Sequence, residues 1–169
     1  AMKHNPDIII KIAEGVGDVN IIVAGTGSGF DNLKKNQNLP KNLYLLPIQP
    51  FEKINEMLSS ADICLGILND EASTFSVPSK ILNYLCAGKA IILSAPKENL
   101  ASKTIIESES GKVFQSNEIE SMIKYINFLK ENSQEREKIY FNARKFAENN
   151  FDIEKIGKNF NELINTIKL

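Results

Sequence analysis

The sequence predicts one α/β domain with a doubly wound, mostly parallel sheet that carries helices on both faces, a three-layer α/β/α arrangement. Short β-branched runs alternate with helical patterns along almost the whole chain, and this alternation is typical of βαβ units. The length of 169 residues corresponds to a single domain. A composition of 43% apolar and 24% charged residues is that of an ordinary globular protein.

The first half of the chain contains three predicted strands and three predicted helices. Asn5 and Pro6 suit the start of a first helix, whose apolar residues recur at helical spacing as far as Val16. Glycines or prolines follow the first two strands and end them. The strands are expected at residues 19–24, 43–46 and 63–68, and the next two helices at residues 30–35 and 54–61.

The second half opens with a helix at Pro78, which Gly88 ends in the C′ position. Asn117 and Glu120 have capping-box spacing before a later helix, and Asp152 caps the last helix, which we expect to cover part of the sheet. The remaining strands are expected at residues 90–93 and 112–114, and the remaining helices at residues 100–107, 119–129, 133–149 and 153–167.

Ligands of such sheets bind beyond the carboxyl ends of the strands, which selects the loops at residues 25–29, 47–50 and 69–78. In the first loop, Gly25 and Gly27 leave room for a phosphate or sugar ring close to the backbone. The full dinucleotide fingerprint is absent, since its third glycine would fall at Phe30 or Asn32. A glycine-rich turn without a ligand is the alternative.

The helix that begins at Pro78 has the features of an anion site. Proline at the first helical position leaves the N–H groups of Ser79 and Lys80 unbonded at the positive end of the helix dipole. A diphosphate there would receive charge-assisted hydrogen bonds, and Lys80 adds a cation. Asn83 projects from the same face as Ser79, within reach of an attached ribose. An ordinary capped helix is the alternative.

Composition disfavours several classes of function. The net charge of −1 argues against a surface for long nucleic acids. His4 is the only histidine and lies at the chain start, which disfavours Ser-His-Asp and Cys-His catalysis. Cys64 and Cys86 lack partners at metal-ligand spacing and are interpreted as reduced core thiols of a cytoplasmic protein. We expect no metal, no cofactor and no membrane span.

Four segments, in order, resemble segments of the group 1 (family 4) retaining glycosyltransferases. The most specific segment is residues 78–91, PSKILNYLCAGKAI. The others are residues 19–27, VNIIVAGTG, residues 42–63, and residues 151–156, FDIEKI. The resemblance covers almost the whole chain after Asn5. Members of this family have GT-B architecture, in which two Rossmann-like domains hold the active site between them.

The resemblance implies that the chain is the carboxyl-terminal, nucleotide-sugar-binding half of such an enzyme. The donor would be a nucleoside diphosphate sugar, and the parent enzyme would transfer the sugar to a glycan or lipid-linked acceptor in polysaccharide biosynthesis. The implied donor site comprises Pro47, Ile48 and Gln49 near the base, Pro78, Ser79 and Lys80 at the phosphates, and Asn83 at the ribose.

The chain departs from the family pattern at two positions. The family's two motif glutamates would fall at Phe75 and Asn83, and an amide binds a hydroxyl less strongly than a carboxylate does. Glu71 is a candidate to replace the first glutamate as a catalytic carboxylate. Two alternatives stay open: a non-catalytic Rossmann-like binding module with a degenerate donor site and, with less support, a nucleotide-sugar epimerase.

The resemblance also implies that polypeptide is missing ahead of this chain. Family members open the equivalent domain with a strand that carries an Arg/Lys pair, and an acceptor domain precedes that strand. We therefore expect residues 1–169 to form one nucleotide-sugar-binding domain that transfers nothing alone. Any peripheral membrane association would belong to the parent enzyme.

Overall fold

Helices and strands alternate along the chain in the predicted order. The computed structural model describes residues 6–68 and 79–167. A short 3₁₀ helix, Phe51–Lys53, lies directly before the helix that begins at Ile54. The elements are α1 (Pro6–Val16), β1 (Ile21–Ala24), α2 (Ser28–Lys35), β2 (Leu43–Leu46), α3 (Ile54–Ser60), β3 (Ile63–Ile67), α4 (Ser79–Cys86), β4 (Ala90–Ser94), α5 (Leu100–Glu107), β5 (Gly111–Phe114), α6 (Ile119–Glu131), α7 (Ser133–Asn150) and α8 (Ile153–Ile167).

Strand β4 is the centre of the core because all five of its residues are buried. Ile91 and Leu93 pack on one face of the strand, in the same cluster as Ile81 and Leu85 of α4. Ile92 packs on the other face with side chains of α1 and α6. Apolar side chains on successive residues are what a parallel strand covered on both faces requires. The predicted α/β class, with helices on both faces of parallel strands, is confirmed.

All paired strands run parallel, but in the described residues they form two ladders. Strand β1 pairs with β2, with Ile21 opposite Leu43. Strands β3, β4 and β5 form the second ladder, in that order. Val16 of α1 shares one core cluster with Ile21 of β1 and Ile63 of β3. Both ladders therefore contribute to one core, although no ladder hydrogen bond joins β1 to β3 within residues 6–68 and 79–167.

Helix α7 holds the ends of two other elements. Tyr140 Oη donates a hydrogen bond of 2.9 Å to the carbonyl of Asp62, just before β3. Arg144 Nη1 donates a hydrogen bond of 2.7 Å to the carbonyl of Cys86, the last residue of α4. A cation at this end of a helix is favourable because the unbonded carbonyls there carry partial negative charge. These contacts fix the carboxyl end of α4 and leave its first turn open.

Two predicted helix ends are confirmed by their hydrogen bonds. Gly88 has a φ of 62°, and its N–H bonds the carbonyl of Leu85 at 3.0 Å, as a C′ glycine does. Asp152 Oδ1 accepts a hydrogen bond of 2.9 Å from the N–H of Glu154 at the start of α8. A hydrogen bond of 3.1 Å from the N–H of Lys155 to the same oxygen, reinforced by the Glu154 bond, lowers the pKa of Asp152 below its usual value.

Two expectations about the last helices are wrong. Asn117 and Glu120 do not form a capping box in the described structure, because the residue before α6 is Glu118. The Glu118 carboxylate accepts a hydrogen bond of 2.7 Å from the N–H of Gln115 and closes the preceding turn instead. Helix α8 does not cover the sheet, since its apolar stripe is exposed; Ile153, at its start, is 78% exposed.

The two cysteines differ in environment. Cys64 lies in β3 and is buried, and burial raises the pKa of its thiol to about 11. Cys86 is exposed, so its interpretation as a core thiol is wrong. The reason is helical geometry: α4 turns Leu85 into the core, and the next residue then points outward.

Thiol labelling should separate these two side chains. At mildly alkaline pH, iodoacetamide should modify Cys86 rapidly and leave Cys64 intact until the chain unfolds, because the thiolate is the reactive form and burial keeps Cys64 protonated. Timed labelling with peptide mass spectrometry measures both rates. The Cys86→Ser variant is the control and should lose the fast phase. Equal labelling rates would contradict the burial of β3.

Candidate functional site

Two side chains one turn apart hold α4 against the sheet. Ile81 is 1% exposed and Leu85 is 0% exposed, and both lie in the cluster that includes β4. Burial of this i, i+4 pair turns the other faces of the helix outward. Ser79, Lys80 and Asn83 are accordingly all exposed. The helix therefore presents its first turn and a polar face to solvent.

The first turn of α4 lies at the carboxyl edge of the strands. The helix ends at Cys86, and β4 begins at Ala90, so the end of α4 is close to the amino end of a strand. A helix that connects two parallel strands runs antiparallel to them, which places its start at the opposite edge. Ser79 and Lys80 thus lie where the sequence predicts, with first-turn N–H groups that have no intrahelical partner.

The loop after β1 has open space above its backbone. A Cβ added to Gly25 or Gly27 would meet no heavy atom within 4 Å beyond the adjacent residues. Gly27 has φ 103° and ψ 177°, a conformation that L side chains rarely adopt. Its carbonyl accepts a hydrogen bond of 2.9 Å from the N–H of Asp31, so α2 begins at Ser28, earlier than its predicted start at Phe30.

The loop after β2 lies beside this glycine loop. The N–H of Gly25 donates a hydrogen bond of 3.2 Å to the carbonyl of Leu46, the residue before Pro47. Gln49 Nε2 donates a hydrogen bond of 2.8 Å to the Pro47 carbonyl, which holds the turn. Ile48, between them, is 69% exposed. The structure therefore brings two of the predicted loops together and leaves an apolar side chain uncovered at their edge.

The candidate site residues fall into two groups. The first group, in the loops after β1 and β2, belongs to the two-stranded ladder, whereas the second group opens α4 beside the three-stranded ladder. Three candidate positions lie outside the described residues: Glu71, Phe75 and Pro78. The catalytic role of Glu71 and the part played by Pro78 in the helix start therefore stay predictions.

Charge at the start of α4 comes from Lys80 and from the helix. The Arg144 guanidinium bonds the opposite end at Cys86, so the uncompensated end of the helix dipole is the positive one. Tyr84, on the same helix, stays neutral because burial raises its pKa to about 12. The arrangement can bind an anion with fixed backbone donors and one mobile cation.

Metal ligands and membrane-spanning helices are the other features that bear on the kind of site. Among residues 6–68 and 79–167, no three His, Cys, Asp or Glu side chains are grouped as a metal ion would need. Over the same residues, no helix is long and apolar enough to cross a bilayer.

Sequence reasoning missed Ser94. It ends β4 at the carboxyl edge and is 0% exposed, and its Oγ has no hydrogen-bond partner in the described part of the chain. A buried hydroxyl without a partner costs about 1–3 kcal/mol, so this position is a notable exception in an otherwise apolar strand. The signal available in the sequence was a single hydroxyl after the apolar run of residues 90–93.

Comparison with known proteins identifies relatives over most of the chain. The family model described as glycosyl transferases group 1 matches residues 2–146. An uncharacterized glycosyltransferase of Methanocaldococcus jannaschii is 28% identical over 145 residues, which are 85% of this chain and 36% of the relative.

Several solved structures share the fold, among them the glycosyltransferase WaaG. HepE of Anabaena, solved in complex with UDP-glucose, has a TM-score of 0.77 at 19% identity and is matched by 99% of this chain and 46% of its own. TarM has a TM-score of 0.76 at 19% identity, over 98% of this chain and 33% of its own. WaaG, which is involved in lipopolysaccharide biosynthesis, has a TM-score of 0.69 at 17% identity, over 86% of this chain and 40% of its own. The chain spans less than half the length of each.

Substitution of the loop glycines tests the backbone geometry after β1. Gly27→Ala should lower the free energy of unfolding by about 1–3 kcal/mol, because its dihedral angles suit glycine alone. Gly29→Ala is the matched control: its added Cβ also meets no atom within 4 Å, it lies in α2, and it should cost nothing measurable. Urea unfolding of both variants measures the difference. Equal stability of the two would show that the loop does not have this conformation.

Proposed function

This chain belongs to the group 1 glycosyl transferase family, and from that premise we propose that it is the donor-binding domain of an enzyme that transfers a sugar from a nucleoside diphosphate sugar. The observation that carries the proposal is the exposed first turn of α4. The short connection from α4 to β4 puts that turn at the carboxyl edge of the strands, and burial of Ile81 and Leu85 leaves Ser79 and Lys80 open to solvent.

The pyrophosphate of the donor binds this turn. Its oxygens accept hydrogen bonds from the N–H groups of Ser79 and Lys80, and the Lys80 ammonium offsets part of its charge. These donors also serve the reaction, because negative charge grows on the departing nucleoside diphosphate as the bond to the sugar breaks. Donors already held in place by the helix stabilise that charge without reorganising.

The nucleoside occupies the edge between the two groups of site residues. Asn83 lies one turn after Ser79 on the exposed face of α4 and bonds the ribose hydroxyls. The base packs on Ile48 in the loop held by Pro47 and Gln49, beside the open backbone of Gly25 and Gly27. The HepE structure contains UDP-glucose, which supports a uridine donor as the first to test.

The acceptor binds polypeptide outside this chain. The chain matches 36% of the archaeal relative and 46% of HepE, which supports an additional acceptor domain that precedes it in the parent enzyme. On this proposal the chain alone binds donor and transfers nothing, and Glu71 is the candidate catalytic carboxylate. The same proposal includes a glycan or lipid-linked acceptor in polysaccharide synthesis and any peripheral membrane contact of the parent enzyme. It also includes a cytoplasmic location, because the free thiols of Cys64 and Cys86 favour a reducing compartment.

A binding module without transfer activity is the second candidate. It is favoured by Asn83 and Phe75, which stand where the resemblance places two motif glutamates. Retention of the Pro78-Ser79-Lys80 sequence, which the resemblance places at the donor phosphates, opposes it. Nucleotide titrations of two variants of α4 separate the candidates.

Loss of the Lys80 cation should weaken donor binding. Lys80→Ala should bind UDP about tenfold more weakly than the unchanged chain. A charge-assisted hydrogen bond contributes about 1.5–3 kcal/mol, and a partly solvated contact lies at the low end of that range, which corresponds to about tenfold in affinity. Isothermal calorimetry measures the two dissociation constants. Lys124→Ala, which removes an exposed lysine from α6, is the control and should bind UDP normally. An equal loss in both variants, or no UDP binding by the unchanged chain, would refute the pyrophosphate site.

A carboxylate at position 83 tests the ribose contact. Asn83→Glu should bind uridine several-fold more tightly, because a carboxylate accepts stronger hydrogen bonds from hydroxyls than an amide does, whereas Asn83→Ala should bind it more weakly. Uridine replaces UDP here so that repulsion between the new carboxylate and the phosphates does not contribute. Fluorescence or NMR titration gives the affinities. Identical affinities for all three chains would favour the non-catalytic module.

A further inference from the structure

Phe51 is the most exposed of the large apolar side chains in the described part of the chain. It begins the 3₁₀ helix that follows the loop after β2, and it is 84% exposed. Other exposed rings have partners: Phe128 stacks on Tyr125, and Lys145 lies 5.6 Å from the ring centre of Phe141. No ring or cation contact of this kind involves Phe51 among the described residues. Its ring is therefore open to a ligand.

The chain reaches Phe51 close to the carboxyl edge of the strands. Strand β2 ends at Leu46, and only the loop of residues 47–50 separates that end from Phe51. The carbonyl of Leu46 accepts a hydrogen bond of 3.2 Å from the N–H of Gly25, which ties the start of this loop to the glycine loop after β1. Phe51 therefore belongs to the same group of loops as the residues proposed to contact the base of the donor.

The loop before Phe51 offers apolar contact rather than side-chain hydrogen bonds. Ile48, three residues before Phe51, is 69% exposed. Pro47 and Pro50 have no N–H group, and the side-chain nitrogen of Gln49 already donates to the Pro47 carbonyl. The neighbouring glycine loop leaves open space above its backbone. A flat, unsaturated ring is the ligand that such a surface favours, because it gains contact area on its face without leaving polar groups unpaired.

We propose that Phe51 stacks on the base of the donor nucleotide and is a further residue of the donor site. This inference rests on the proposed function and deepens it, since it names the part of the nucleotide that the ring recognises, the face of the base. Every base has a π-face, so stacking adds affinity whatever groups the base carries at its edges. The donor is then held at two separate places, its pyrophosphate by the first turn of α4 and its base by Phe51.

Removal of the ring should weaken nucleotide binding and leave pyrophosphate binding unchanged. Phe51→Ala should bind UDP and ADP each about tenfold more weakly than the unchanged chain does, which is at the low end of what base stacking contributes. Inorganic pyrophosphate should bind both chains equally, because it has no base. Isothermal calorimetry measures the dissociation constants. Normal UDP binding by Phe51→Ala would overturn the proposal. An equal loss of pyrophosphate binding would also overturn it, since the loops rather than the stacking would then have changed.

Further variants separate stacking from other effects. Phe51→Tyr keeps the aromatic face and should bind UDP normally, whereas Phe51→Leu keeps an apolar side chain without a π-face and should lose most of the stacking affinity. Phe141→Ala is the matched control, because it removes a ring that is 64% exposed on α7, and it should bind UDP as the unchanged chain does. Both phenylalanines are exposed, so these variants should keep the melting temperature nearly unchanged. Equal UDP affinity of Phe51→Tyr and Phe51→Leu would overturn stacking.

A fluorescent ring at position 51 reports the contact directly. The chain contains no tryptophan, so Phe51→Trp introduces a single indole. UDP and ADP should quench its fluorescence in a saturable way, while inorganic pyrophosphate should leave it unchanged. If UDP shifts the amide signals of Ser79 and Lys80 without quenching the indole, the stacking proposal is wrong and the donor site stands. If the unchanged chain binds no UDP, the donor site itself is refuted, and stacking with it.

Discussion

Burial of β4 between two layers of helices is the constraint on which the rest of the structure depends. Ile91 and Leu93 require a helix on one face and Ile92 requires one on the other, so α4 must lie flat against the strand through Ile81 and Leu85. The short connection from Cys86 to Ala90 then makes α4 run antiparallel to β4, so its first turn opens at the carboxyl edge. The candidate anion site is thus a consequence of core packing.

Features with a local cause were predictable from the sequence. Strand β4 is a continuous apolar run, Gly88 is the residue type that a C′ position needs, and Asp152 is a typical cap. Features set by distant contacts were not predictable. The exposure of Cys86 follows from which face of α4 is buried, and the open stripe of α8 follows from the absence of a covering element in the described structure.

The candidate site shows the same division. Ser79, Lys80 and the loop glycines could be identified because a helix start and a glycine turn have sequence signals. The unpartnered hydroxyl of Ser94 could not, because the burial of a strand residue is decided by elements that pack on the strand from elsewhere in the chain. Nor does the sequence reveal that the candidate residues belong to two ladders, since ladder pairing is a property of strands far apart in the chain.

A phosphate site built from backbone N–H groups tolerates changes in side chains. An asparagine at position 83, where the resemblance implies a glutamate, is therefore compatible with the proposed pyrophosphate site at Ser79 and Lys80. Amide chemical-shift mapping with UDP and with inorganic pyrophosphate tests this claim most directly. Saturable shifts centred on the Ser79 and Lys80 amides with both ligands, and additional shifts in the loop at Ile48 with UDP alone, are the expected result. UDP binding that leaves the Ser79 and Lys80 amides unmoved would contradict the account.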